Sequence, residues 1–374
     1  MPAEPYEWKV SAAGRVNLIG EHIDYCGGKV LPIALSMNNT VYARANGTDK
    51  IRLAWTDLPD RAELDTNNLR QYIGKKHVSY PAGCAYFWKE AGHAVPGCDL
   101  LLDCTVPFGS GLSSSAAIEV SVIAALCAVS GEPCSPKEAA LAAQKAERVF
   151  AGVNCGIMDQ YASACGKKGC AILLDCKKVE HEYIPLETGD FVFVIANCNK
   201  PHSLSESRYN ERRAETETAL TLLKEKTDIV CLADLTPEAF QKFAPVLPGK
   251  IRDRAEHVVN ECGRVLRAAA ALRNGETEVF GQLLDQSHES LRTLYEVTGR
   301  ELDSLARAAQ SHPGCLGSRM TGGGFGGCTV SLVRKDAVPD FQEHVAKIYE
   351  RETGYVPSFY GADPSDGIRM EKLR

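Results

Sequence analysis

The amino-acid sequence predicts an α+β fold with two domains. The chain has 374 residues, against about 150 for a typical single domain. Strand-like and helix-like segments are mixed along it rather than strictly alternating, which favours an α+β fold over a doubly wound parallel sheet. Amphipathic helices dominate the second half, and the change falls near residues 175–190. We therefore predict one domain over residues 1–180 and a second, helix-rich domain over residues 181–374.

Local patterns predict the individual elements. Short β-branched or aromatic runs bounded by turn residues predict six strands. They lie at residues 30–34, 40–45, 99–106, 171–175, 191–196 and 328–333. Apolar residues at helical spacing predict six helices. They lie at residues 115–129, 137–151, 206–226, 251–274, 279–295 and 300–309.

Charge and composition argue against several classes of protein. The 42 Lys and Arg residues are outnumbered by 48 Asp and Glu residues, so the net charge of −6 gives no bulk attraction to nucleic acid or to an anionic membrane. No apolar run reaches the roughly 18 residues that cross a bilayer, and the first residues do not resemble a secretory signal. The fifteen cysteines lack CxxC spacing, which indicates mostly buried free thiols in a reducing compartment. We expect a cytoplasmic monomer.

The first segment with a chemical pattern is GRVNLIGEHIDY, at residues 14–25. It concentrates polar side chains of several kinds, namely Arg15, Asn17, Glu21, His22, Asp24 and Tyr25. Because glycines allow tight turns of the backbone, these side chains can converge on one small polar molecule such as a sugar. The alternative interpretation is a polar surface loop.

The second segment is VPFGSGLSSSAA, at residues 106–117, between an apolar strand and a long apolar helix. It contains two spaced glycines and three serines, namely Gly109, Gly111, Ser113, Ser114 and Ser115. Free N–H groups and the helix dipole make such a helix start a binding site for phosphate. A serine N-cap is the structural alternative, although the pattern exceeds what a cap needs. The chain has no GxxxxGKS or GxxxxGKT motif, so ATP would bind to another architecture.

The third segment is TGGGFGG, at residues 321–327, which formally matches the GxGxxG pattern of dinucleotide-binding folds. That pattern must open a helix, whereas a strand-like run follows here. We expect instead a glycine loop that lies beside phosphates or packs against the active site.

A fourth segment, CGIMDQ at residues 155–160, follows a helix that carries Glu147. Asp159 lies among Ile, Met and Gln, where a carboxylate that is partly buried favours a neighbouring cation. Arg15 is the candidate for that cation. An isolated Asp is otherwise most often a helix cap or a surface residue.

In this order, the four segments resemble the GHMP small-molecule kinases over essentially the whole chain. The first is similar to the sugar-binding signature of the family's sugar kinases, the second to its phosphate loop, and the third to its C-terminal motif. The resemblance implies an N-terminal domain like domain 2 of ribosomal protein S5 and a ferredoxin-like C-terminal domain with added helices. The implied reaction is the Mg²⁺-dependent transfer of a phosphoryl group from ATP to the anomeric hydroxyl of D-galactose.

The resemblance also implies roles for individual residues. Asp159 would accept or orient the proton of the anomeric hydroxyl, and Arg15 would neutralise the charge beside it. The residues that would hold the sugar are Arg15, Glu21, His22, Asp24, Gly156, Asp159 and Tyr209. Those that would hold ATP are Tyr80, Gly109, Ser110, Gly111, Leu112, Ser113, Ser114, Ser115 and Ala116. Ser115 and Glu147 match the family's magnesium ligands, since a hydroxyl and a carboxylate suit a hard cation.

Two alternatives stay open at the level of sequence. HIDYCG at residues 22–27 is also similar to the signature of N-acetylgalactosamine kinases, although Tyr209 stands where those tend to carry phenylalanine. Arabinose and galacturonate kinases are further variants of this alternative. A non-catalytic galactose sensor on the same fold is the second alternative, and it could dispense with Asp159 or Arg15. A metal-dependent hydrolase lacks ligands at zinc-like spacing.

Overall fold

The computed structural model describes residues 5–200 and 205–374. The strands in these ranges are β1 (Trp8–Asn17), β2 (Lys29–Val30), β3 (Pro32–Ala45), β4 (Lys50–Trp55), β5 (Arg61–Asp65), β6 (Cys98–Cys104), β7 (Cys170–Asp175), β8 (Glu180–Pro185), β9 (Phe191–Asn197), β10 (Cys315–Thr321), β11 (Cys328–Arg334), β12 (Ser358–Gly361) and β13 (Arg369–Lys372). The α-helices are α1 (Ser79–Glu90), α2 (Ser114–Ser130), α3 (Pro136–Ala146), α4 (Met158–Cys165), α5 (Ser205–Lys224), α6 (Pro237–Phe243), α7 (Gly249–Asn274), α8 (Thr277–Ser290), α9 (Gly299–Gln310) and α10 (Val338–Thr353).

The strands form three sheets. A six-stranded sheet has the order β13-β1-β3-β6-β4-β5, and all its pairs are antiparallel except β4 with β6. An antiparallel four-stranded sheet has the order β10-β11-β9-β12, and β2, β7 and β8 form a third sheet. The mixture of sheets and helices confirms the predicted α+β class.

Helix α2 is the centre of the N-terminal part. Thirteen of its 17 residues are buried, because it packs on β1 and β3 and is enclosed by α1, α3 and α4. This burial on all sides explains why its sequence is apolar nearly throughout, as expected for a helix without a solvent-facing side. Its first residue, Ser114, therefore lies at a rigid position within the phosphate-loop segment, which is residues 106–117.

Predicted and observed elements differ in two informative ways. The predicted strands at 30–34 and 40–45 belong mostly to one long strand, β3, and the predicted helices at 137–151 and 279–295 each end in a π-helical turn. Strand β1 escaped prediction because its residues from Val10 onward are buried on both faces, so its sequence lacks the alternation that marks a half-buried strand.

The domain boundary at residue 180 stays a prediction. Two pairings cross it: β8 pairs with β7, and β13, close to the C-terminus, pairs with β1 in the N-terminal sheet. The two predicted halves are thus joined by backbone hydrogen bonds as well as by the chain. Within the described ranges, no helix combines the length and the apolar character needed to span a bilayer.

Candidate active site

A polar crevice forms where β1, the phosphate-loop segment and α4 meet. The backbone N–H of Arg15 donates to the carbonyl of Leu112 at 3.0 Å, which holds the phosphate-loop segment against β1. Gly14 allows this approach, since a Cβ there would lie 3.0 Å from the same carbonyl oxygen and from a methyl group of Val106. The Arg15 side chain then reaches the Gly111 carbonyl, to which Nη1 donates at 2.6 Å.

The carboxylate of Asp159 is the meeting point of the crevice. Arg15 donates to it through two nitrogens, Nε to Oδ1 at 2.8 Å and Nη2 to Oδ2 at 2.7 Å. Ser113 donates its hydroxyl to Oδ2 at 2.6 Å. The side chain of Asp159 is 29% exposed while that of Arg15 is 4% exposed, so the carboxylate faces open space and its cation is shielded. The structure thus brings together residues that lie 144 positions apart, in the pairing that the sequence interpretation required.

A cavity of about 310 Å³ opens on the phosphate-loop side of Asp159. Its lining includes most of the residues predicted to hold ATP, namely Tyr80, Gly109, Gly111, Ser113, Ser114 and Ser115. Ser113 and the two glycines have positive φ angles, which turn the chain sharply into α2 and leave the Ser113 hydroxyl free of any capping role. The side chains of Ser110, Leu112 and Ala116 are buried beneath this loop, so they support its shape rather than line the cavity.

Acidic groups lie under the same loop. Glu147 is buried and accepts a hydrogen bond from Ser115, yet burial and the nearby charge of Asp159 raise its pKa to about 7. The amide of Gln160 donates to Glu147 and, at 3.1 Å, to Glu119, which is fully buried on α2. The Ser115 hydroxyl and the Glu147 carboxylate, with the Glu119 carboxylate nearby, are oxygen ligands of the kind that a hard divalent cation binds. These residues therefore fit a magnesium site.

A second cavity, of about 110 Å³, adjoins the first and shares Asp159 with it. Every residue predicted to hold the sugar lines it: Arg15, Glu21, His22, Asp24, Gly156, Asp159 and Tyr209. Gly156 is required there, because a Cβ would lie 1.7 Å from Oδ2 of Asp24. Burial and the charge of Asp159 raise the pKa of Asp24 to about 6.

Two of these lining residues, Glu21 and His22, already form hydrogen bonds to other residues of the chain. Glu21 forms a buried ion pair with Arg319, and its carboxylate also accepts from the side chains of Asn17 and Thr321 and from a backbone N–H. His22 contacts the Tyr25 hydroxyl through Nδ1 and a backbone carbonyl through Nε2. Their contacts within the protein are therefore established, while their contacts with sugar hydroxyls stay predictions.

The glycine loop at residues 322–327 packs against the phosphate-loop segment. A Cβ at Gly322 would lie 3.0 Å from the Gly111 carbonyl oxygen, and one at Gly324 would lie 2.3 Å from the Val297 carbonyl oxygen. The loop thus lies against the phosphate-loop segment and lines the first cavity, while its place beside bound phosphates stays a prediction. Sequence reasoning missed Arg319 and Val297, since no local pattern marks either residue.

Comparison with known proteins identifies the family. Three family models match, described as the GHMP kinases N terminal domain over residues 79–167, the galactokinase galactose-binding signature over residues 3–45, and the GHMP kinases C terminal domain over residues 268–351. The galactokinase of Ligilactobacillus salivarius is 42% identical over 361 residues, covering 96% of this chain and 93% of that protein. The galactokinase of Clostridium tetani is 42% identical over 358 residues, covering 95% of this chain and 91% of that protein.

Solved structures agree with these relatives. Lactococcus lactis galactokinase complexed with galactose superposes with a TM-score of 0.95 at 40% identity, covering 98% of this chain and 95% of that one. Mevalonate kinase of Methanococcus jannaschii shares the fold, with a TM-score of 0.70 at 18% identity, over 98% of this chain and 100% of that one. Identity above 40% across nearly the full length, together with the matched signature, is decisive: the chain belongs to the galactokinase family of GHMP kinases.

Proposed function

We propose that this chain transfers the γ-phosphoryl group of ATP to the anomeric hydroxyl of D-galactose, giving α-D-galactose 1-phosphate and ADP. The observation that carries the proposal is the position of the Asp159 carboxylate, which lies at the junction of two adjoining cavities and is paired with Arg15. One cavity has the glycine- and serine-rich lining expected for a triphosphate, and the other has the polar lining expected for a sugar.

On the sugar side, Asp24 and Asp159 supply carboxylate oxygens that can accept hydrogen bonds from hydroxyl groups. Tyr209 provides a ring wall shared by both cavities. Asp159 would orient the anomeric hydroxyl and receive its proton as the new O–P bond forms. At the same time, the bond between the γ-phosphorus and the β,γ-bridging oxygen of ATP breaks, and ADP leaves. Arg15 would hold the carboxylate in place and offset negative charge as it builds up in the transition state.

On the phosphate side, backbone N–H groups at the start of α2 and the positive end of its dipole would hold the anionic oxygens of ATP. Ser115 and Glu147 would hold a magnesium ion, which when bound neutralises charge on the phosphate oxygens. The glycine loop at 322–327 would close the cavity around the triphosphate, since Gly323, Gly324 and Gly326 line it.

Initial velocities on a panel of sugars test the proposal. Purified protein, ATP and Mg²⁺ are combined with galactose, N-acetylgalactosamine, glucose, arabinose or galacturonate, and ADP release is followed by a coupled assay. Galactose is expected to have the highest kcat/KM. A preference for N-acetylgalactosamine would indicate that kinase instead. Binding of galactose and ATP without ADP release would indicate a sensor.

The proposal includes a cytoplasmic monomer. All fifteen cysteines are free, and eight of them are buried, which fits a chain that stays reduced. Sedimentation of the purified protein at working concentration tests the oligomeric state, and a species of twice the chain mass would contradict it.

A further inference from the structure

A chain of hydrogen bonds runs behind the sugar cavity. Nδ1 of His22 lies 2.8 Å from the hydroxyl of Tyr25, and that hydroxyl lies 2.8 Å from the hydroxyl of Tyr295. On the other side of the imidazole ring, Nε2 lies 3.2 Å from the backbone carbonyl oxygen of Gly323. The chain therefore joins the first polar segment, the end of the π-helical turn after α8, and the glycine loop.

The chemistry of the two ends decides the direction of every hydrogen bond. The Gly323 carbonyl can only accept, so Nε2 of His22 must carry a proton. Burial and the nearby His257 lower the pKa of His22 to about 3, so the ring is neutral and its Nδ1 is an acceptor. Tyr25 must then donate to Nδ1. The oxygen of Tyr25 is left to accept from Tyr295.

We propose that Tyr25 is a positioning residue whose hydroxyl donates to Nδ1 of His22, stabilises the Nε2–H tautomer and thereby helps to hold the Gly323 carbonyl at the edge of the sugar cavity, while Tyr295 supports the Tyr25 hydroxyl. The inference rests on the proposed function, because it assigns the consequence to sugar binding. Neither tyrosine needs to touch the sugar. Both act through His22.

The residues packed around these hydrogen bonds hold them in a fixed arrangement. Tyr295 is fully buried, and its backbone carbonyl accepts from Nε of Arg212 on α5 at 2.9 Å. The His22 ring packs on Tyr295 and on Tyr209, with ring centroids 4.8 and 5.4 Å apart. His22 itself has a left-handed backbone with φ of 63°.

The position of Gly323 explains why sugar binding should respond. A Cβ at Gly323 would lie 3.3 Å from the ring of Tyr209, so the loop backbone already packs on that wall of the sugar cavity. If the Nε2–H contact is lost, the Gly323 carbonyl loses its donor, although the neighbouring N–H groups of Gly322 and Phe325 stay bonded to Glu21 and Val297. This part of the cavity wall should then be held less firmly against Tyr209. Asp159 and Arg15 do not belong to this series of hydrogen bonds, so phosphoryl transfer from bound sugar should change little.

The first test is the ¹⁵N NMR spectrum of histidine-labelled wild-type protein, with the His22 signal identified from its loss in a His22→Asn variant. The expected spectrum is that of a neutral ring with a proton on Nε2 only. A Nδ1–H tautomer or a charged ring at pH 7 would overturn the proposal without any further variant.

The second test compares Tyr25→Phe with Tyr295→Phe. Tyr25→Phe removes the donor to Nδ1, so the Nδ1 shift should move to that of a ring nitrogen without a hydrogen bond. The KM for galactose should rise about tenfold, as expected for one lost hydrogen bond, while kcat stays within about twofold. Tyr295→Phe leaves Tyr25 able to donate, so the tautomer should persist and KM should rise by only about twofold.

Tyr183→Phe is the control, since it removes a tyrosine hydroxyl that donates to the Cys165 carbonyl at 2.7 Å, and neither residue lines either cavity. It should leave His22 shifts and sugar KM at wild-type values. Unchanged His22 shifts and unchanged KM in Tyr25→Phe would refute the positioning role. A wild-type protein without galactose turnover would instead refute the proposed function, and the NMR result would still stand alone.

Discussion

Two of the arginine–carboxylate pairs that join distant parts of this chain differ chiefly in exposure. Arg15 pairs with Asp159 at the cavity junction, where the side chains are 4% and 29% exposed. Arg319, on β10, pairs with Glu21, and these side chains are 0% and 1% exposed. Arg319 also donates to the backbone carbonyls of Asn17 and Leu18 at 3.0 Å.

The difference in exposure indicates a chemical role for the pair of Arg15 with Asp159 and a structural role for the pair of Arg319 with Glu21. The Asp159 carboxylate keeps a free approach from both cavities, so a substrate hydroxyl can reach it. The Glu21 carboxylate has its oxygens occupied by Arg319, Asn17, Thr321 and a backbone N–H, so it connects the first polar segment to the C-terminal sheet. The same ion-pair chemistry thus has two uses, and each predicts a different kind of loss.

The largest effect is expected from Asp159→Asn, which keeps the size of the side chain and removes its charge and basicity. The kcat should fall by roughly 10² to 10⁴, the usual contribution of a general base. A smaller loss of thermal stability is also expected, because the charge of Arg15, which is 4% exposed, then lacks its carboxylate partner. The measurement is kcat from ADP release beside a thermal melt. A kcat near wild type would contradict the role of Asp159.

The buried pair should respond through stability instead. Arg319→Met leaves the Glu21 charge buried and unpaired, so the free energy of unfolding should fall by ~3–5 kcal/mol in urea titration. Arg292→Met breaks an exposed pair with Glu289 and is the matched control, expected to cost less than about 1 kcal/mol. Equal effects of the two substitutions would show that burial does not distinguish the pairs.

An intermediate effect is expected at the magnesium site. Glu147→Gln removes the charge that would hold the ion, so the Mg²⁺ concentration giving half-maximal rate should rise by about tenfold or more. The rise in melting temperature that Mg²⁺ and ATP produce together should also shrink. Glu138, which is exposed on α3, supplies the control substitution Glu138→Gln. An unchanged metal titration in Glu147→Gln would remove Glu147 from the site.

Sequence patterns predicted the local parts of the site well. The strand, loop and helix around residues 106–117 were predictable because glycine, serine and a continuous apolar run each have a local structural meaning. That local prediction depends on the chemistry of a few neighbouring residues. The pairing of Arg15 with Asp159 was predicted only from the preference of a partly buried carboxylate for a cation, since the two residues lie 144 positions apart.

The long-range connections were not predictable in the same way. Nothing around Arg319 marks it as the partner of Glu21, because buried ion pairs have no sequence period. The protein contacts of Glu21 and His22 depend on how β10 and the glycine loop fold back onto residues 17–25. Likewise, the return of β13 to pair with β1 requires the whole chain to fold between them.

The smallest effect is expected at a third carboxylate, Asp24, which lacks an arginine partner at hydrogen-bond distance among the described contacts. Burial and the charge of Asp159 raise its pKa from 3.8 to about 6, so Asp24 gains a proton as pH falls from 7 to 5. A protonated carboxyl is a poorer acceptor for sugar hydroxyls. The KM for galactose should therefore rise below pH 6, by up to about tenfold per pH unit.

Stability should change with pH in the opposite sense to sugar binding: as pH falls, binding weakens while the folded state becomes more stable. Because the folded pKa of Asp24 lies above the unfolded value, its ionised form destabilises the folded state, and this cost disappears as pH falls from above 6 towards 4. The Asp24→Asn variant cannot titrate there, so its sugar KM should be higher at pH 7 and should lack the component of the pH dependence that Asp24 contributes. Pairing KM with unfolding titrations at pH 5 and pH 7, in wild type and variant, checks both signs. A wild-type KM that stays constant from pH 7 to pH 5 would show that the ionised form of Asp24 is not what binds the sugar.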